Sequence, residues 1–66
     1  MFVAIWMVCV VGYPCVPVVE AEPVLFDRLE PCVAHAEHGA REIITMLYEE
    51  RKRAEVRFEC RPSQPA

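Results

Sequence analysis

The first nineteen residues, MFVAIWMVCVVGYPCVPVV, carry no charge and are almost entirely apolar. Whatever this stretch becomes decides what the rest of the chain can be. Three outcomes compete. A secretory signal would use Phe2–Val11 as its apolar region and Val19-Glu20-Ala21 as a small-x-small cleavage site, but no Lys or Arg precedes the apolar run. Cleavage after Ala21 would also leave a remnant with only two cysteines, Cys32 and Cys60. A membrane helix needs about 20 apolar residues. Here Gly12, Pro14 and Pro17 interrupt the run, and proline removes a helical hydrogen bond and clashes with the preceding turn. The third outcome is a buried strand. Phe2, Val3, Ile5, Trp6, Val8, Val10 and Val11 are aromatic or β-branched, the types that suit a pleated surface. This reading predicts a strand over residues 2–11, a turn at Gly12-Tyr13-Pro14, and a second strand over 15–19 that Pro17 confines to a sheet edge.

The remaining charge pattern is one-sided. All ten acids and all seven Lys and Arg residues lie from Glu20 onward, for a net charge of −3. A pI near 5.2 lacks the basic footprint of a nucleic-acid binder, so no nucleic-acid partner is expected, and the broken apolar run gives no membrane partner. Apolar positions Leu29, Cys32, Val33, Ala36, Ala40, Ile43, Ile44 and Leu47 recur at helical spacing and predict a helix over 28–52. Asp27 can cap it, or Pro31 can occupy its first position. Arg51-Lys52-Arg53 then suits the negative end of the helix dipole; read as a phosphate site, this triplet is weaker. Ala54–Cys60 alternates apolar with charged residues and predicts a third, half-buried strand over 54–60. Residues 61–66 read as a flexible tail.

These pieces assemble into an α+β fold: a single ββαβ domain spanning 1–60, with a three-stranded antiparallel sheet in the order 2-1-3 and one helix on one face. The topology also predicts cysteine partners. Cys9 and Cys15 face each other about Gly12, while Cys32 and Cys60 meet at the opposite end of the sheet. Four reduced thiols are the simpler alternative, but a single core of this size rarely supplies more than about 3–5 kcal/mol, so such scaffolds need staples. Zinc fits poorly, since the Cys9-x5-Cys15 spacing is too wide for a knuckle.

Cys32-x-x-His35-x-x-His38 with Glu42 places potential ligands along one helical flank. One helix does not close a tetrahedral cage, and a polar helix face explains these residues more simply. Cys32 as a nucleophile with a neighbouring histidine lacks an orienting third group. No catalytic residue, metal site or cofactor is assigned. The opening strand is apolar on both faces, and one helix covers only one of them. Phe2, Trp6, Val8 and Val10 are therefore expected on the bare face, as an interface for protein partners in a homo-oligomer or larger assembly.

Met7-Val8-Cys9, Cys15, Phe26-Asp27-Arg28-Leu29-Glu30-Pro31-Cys32 opening an alanine-rich helix, and Val56-Arg57-Phe58-Glu59-Cys60 together resemble a group of short uncharacterised four-cysteine proteins of alphaproteobacteria and their phages. The resemblance implies a small non-enzymatic protein, an accessory (decoration or assembly) part of a phage virion. The competing expectation is an exported periplasmic protein that loses residues 1–21.

Overall fold

A computed structural model describes residues 1–63. Its elements are β1 (Phe2–Val10), β2 (Val16–Val18), α1 (Leu29–Glu49) and β3 (Ala54–Pro62). The strands form one antiparallel sheet in the order β2-β1-β3, with α1 packed across β1 and β3. The expected α+β architecture and strand order are those of the molecule.

Strand β1 is the central strand because both its edges are occupied. On one side it pairs with β3 along its whole length, from Phe2 opposite Pro62 to Val10 opposite Ala54. Val11 N–H to the Arg53 carbonyl (2.9 Å) and Ser63 N–H to the Met1 carbonyl (2.7 Å) extend this ladder at both ends. Residues Arg61–Ser63, read from sequence as tail, are therefore held by the sheet; Gln64–Ala66 lie outside the described residues. On the other side, β1 meets β2 and then Phe26, which exchanges two backbone hydrogen bonds with Phe2.

The β1–β2 connection turns at Gly12, whose φ of +90° is accessible to glycine without a Cβ penalty. Continuing the register Trp6–Val18, Met7–Pro17, Val8–Val16 by one step sets Cys9 opposite Cys15. That is a non-hydrogen-bonded position, where facing side chains approach most closely. The two cysteines are bonded there, with Cα atoms 4.1 Å apart. Cys32 and Cys60 form the second disulfide, with Cα atoms 6.2 Å apart.

Helix α1 starts one residue later than expected, on an extended Arg28 that supplies no side-chain cap. Pro31 stands third in the helix, where its missing N–H still lies among the unpaired amides of the first turn. The C-terminus differs more. The helix stops at Glu49 rather than running through the basic triplet to residue 52. Arg51 adopts φ 58°, Lys52 N–H bonds to the Leu47 carbonyl, and Arg51 N–H bonds to the Tyr48 carbonyl. These two bonds make a Schellman motif with Arg51 in the left-handed position. The motif satisfies the last carbonyls and turns the chain into β3.

Ala4, Trp6, Val8, Cys32, Ala36 and Ala40 are buried; Phe2, Val18, Phe26, Ile43, Val56 and Cys60 complete the core. The buried helical members, Cys32, Ala36 and Ala40, are small, so α1 lies close on the sheet and the largest core side chain, Trp6, fills the space. Its indole N–H donates to the Ala36 carbonyl at 2.8 Å, and its ring rests against Gly39.

This arrangement corrects the expected interface. Phe2, Trp6, Val8 and Val10 are on the helix-covered face, and Trp6 retains only 3% of its accessible surface. The physical reason is the register. Cys60 stands opposite Ala4, so tying Cys60 to Cys32 on the helix brings the even-numbered residues of β1 under α1. The bare face is the odd-numbered one.

Candidate interaction surface

The uncovered face of the sheet is built from β1 residues Val3, Ile5 and Met7. Val3 and Ile5 are half-buried and Met7 is 40% exposed. Alternation in β3 sets a charged residue opposite each: Arg61 beside Val3, Glu59 beside Ile5, Arg57 beside Met7. Arg57 donates to Glu55 at 2.7 Å, and Arg61 donates to Glu59. Exposed pairs of this kind contribute little to stability, about 0–1 kcal/mol, but arginine stems lie along apolar surface while their heads stay in water. On the other flank, Pro17 stands opposite Met7. The result is an apolar row bordered by paired charges, and among the described residues no helix covers it.

A second feature runs between α1 and β2. Trp6, Val18 and Ile43 line a groove together with Glu20, His35, His38 and Glu42. His35 Nε2 meets Glu20 Oε1 at 2.8 Å, and its ring packs 5.3 Å from Phe26 and 6.1 Å from Trp6. His35 thus fastens the segment before α1 to the helix. His38 pairs with Glu42 at 3.0 Å, one helical turn away and exposed to solvent. Cys32 is consumed in its disulfide and offers no thiol to a neighbouring histidine. Among the described residues no group of three potential metal ligands converges. In the basic triplet, Lys52 pairs with Glu50 at 3.4 Å and Arg51 serves the helix terminus.

The structure therefore brings all four expected disulfide residues together in the expected pairs. It places Phe2, Trp6 and Val8 in the core and Val10 half-buried on the same face, and it leaves Val3, Ile5 and Met7 on the uncovered face. Gly39 is a further packing residue, and its signal in the sequence is a glycine amid a helical pattern, which marks a close packing contact. Among the described residues, no helix is long and apolar enough to cross a membrane. Comparison with known proteins finds no family model, curated sequence or solved structure that matches this chain.

Proposed function

We propose that this chain is a small non-enzymatic interaction protein that docks its bare sheet face onto a protein partner in a larger assembly. One observation carries the reading: α1 packs on one side of the sheet and is tied to it by a disulfide, while Val3, Ile5 and Met7 form an apolar row along the other. Apolar surface at the centre with charge at its border is the layout of a protein interface. Two disulfides are consistent with an oxidising, extracytoplasmic setting, as in a particle outside the cell. A phage virion is the assembly to which the sequence resemblance points. The alternative, removal of residues 1–21, would take away the whole of β1 and β2, and Trp6 with them. The core then has no central strand, which favours the reading with a retained N-terminus.

A photo-activatable benzophenone side chain at position 5, compared with one at the exposed helix position 45, tests the reading in the producing cell. The expected result is a discrete cross-linked protein species from position 5 and none from position 45. Equal adducts from both positions, or none from either, would refute docking through this face.

A further inference from the structure

We propose that two copies of this chain join through the outer edge of β3, in an antiparallel register centred on Phe58, to make one continuous six-stranded sheet.

The direction of the free backbone groups follows from the β1–β3 ladder. The bonds from Val11 to Arg53 and from Ser63 to Met1 show that odd-numbered residues of β3 turn their N–H and C=O groups inward to β1. In an antiparallel pair the alternate residues point theirs the other way. Val56, Phe58 and Cys60 therefore present donors and acceptors at the outer edge, and β3 pairs with no strand but β1 among the described residues. An unpaired edge of nine residues is a template for another strand. The opposite edge of the sheet is different. Strand β2 has three residues, and Pro17 turns its nitrogen outward where a donor would be needed.

The sequence of β3, AEVRFECRP, is self-complementary about its middle. Centred on Phe58, antiparallel pairing sets Glu55 opposite Arg61 of the second copy, Arg57 opposite Glu59, and Val56 opposite Cys60. Phe58 meets its own counterpart. The charged pairs occupy non-hydrogen-bonded positions, where side chains are closest. Sliding one copy by two residues in either direction places Arg57 against Arg57, or Glu59 against Glu59, and like charges directly opposite are unfavourable. Only the centred register combines full overlap with opposite charges, and it forms about eight backbone hydrogen bonds. Pro62, which has no N–H, falls at the end of that ladder.

Apolar surface lies on the same side. Phe58 is 37% exposed at the edge although it stands opposite the buried Trp6. Ile44 and Tyr48 are exposed on the helix flank that, with Leu47, lines a hollow beside Ala54 at the start of β3. A two-fold axis perpendicular to the sheet brings both helices to one side and leaves Val3, Ile5 and Met7 of both copies open on the other. The inference does not rest on the docking reading.

Sedimentation velocity on the oxidised chain tests it. The wild type is expected to be a dimer whose affinity falls about thirtyfold on Arg57→Glu alone, and again about thirtyfold on Glu59→Arg alone, since each variant puts like charges opposite one another twice. Mixing the two variants restores opposite charges at both places, so a heterodimer of near wild-type affinity is expected from two chains that separately repel themselves. Ile5→Lys is expected to leave the dimer unchanged. A wild type that stays monomeric at millimolar concentration would overturn the proposal. So would single variants that dimerise like the wild type, or a mixture that fails to associate.

Discussion

Replacing Gly39 by alanine would ordinarily strengthen a helix by about 1 kcal/mol, because alanine loses less backbone freedom on folding. Here the opposite sign is expected. A Cβ at position 39 would stand 2.5 Å from Trp6 Cζ2, 2.9 Å from Cε2 and 3.1 Å from Nε1. Carbon atoms at rest sit about 3.5–4.0 Å apart, so helix and indole must separate by roughly 1 Å. The indole cannot retreat easily, since it lies between α1 and the sheet and is 3% exposed. Its N–H is also fixed to the Ala36 carbonyl at 2.8 Å. Overpacking costs about 1–3 kcal/mol, and stretching a buried hydrogen bond adds about 1 kcal/mol. Against the helical gain, Gly39→Ala should destabilise by about 1–3 kcal/mol. In a domain of this size that lowers the melting temperature by roughly 4–24 °C. Far-UV circular dichroism reads the transition, and the emission of Trp6, the single tryptophan, reports whether the indole has been pushed toward water. Trp6→Phe in the Gly39→Ala background relieves the clash, so the double variant should lose at least about 1 kcal/mol less than the sum of the singles. A rise in melting temperature for Gly39→Ala would refute the close seating of Trp6 on the helix.

Removing the Cys32–Cys60 bond, which spans 28 residues, should cost about 3.6 kcal/mol from chain entropy, against about 2.2 kcal/mol for the Cys9–Cys15 bond, which spans 6; urea titration of the two paired-serine variants ranks them, and the reverse order would contradict the entropic account. Arg51→Gly should stabilise by about 0.5–1 kcal/mol, because Arg51 holds φ 58° at a position suited to glycine; a loss of stability in thermal melting would speak against the Schellman ending. Ile5→Lys, on the bare face, should shift stability by no more than about 1 kcal/mol, whereas Val8→Lys buries an unpaired charge and should unfold the chain; equal tolerance of the two would invert the assignment of the faces. Intact mass should show residues 1–21 retained and the chain lighter by the four hydrogens that two disulfides remove, and loss of residues 1–21 would dismiss the retained N-terminus.

Much of the architecture is legible in the chain. Period-two alternation in Ala54–Cys60, helical spacing from Leu29 to Leu47, and a glycine-proline break after Val11 are local signals, each set by a few neighbouring residues. With short connections they leave few topologies, and the order 2-1-3 and both cysteine pairs follow. The helix end is less legible. Arg51 occupies a left-handed position without being glycine, so composition points past the true boundary.

What only tertiary structure decided is which side of β1 meets the helix. Phe2, Ala4, Trp6, Val8 and Val10 are as apolar as Val3, Ile5, Met7 and Cys9 taken together, so no local pattern distinguishes the two faces. The choice depends on the register with a strand some fifty residues away in sequence, where a shift of one residue would exchange them. It depends also on a stripe of Cys32, Ala36, Gly39 and Ala40 small enough to admit an indole. The same register orients the amides of Val56, Phe58 and Cys60 toward the free edge. Both outcomes are contacts between distant segments, and their free energy exists only once the backbone has brought those segments together.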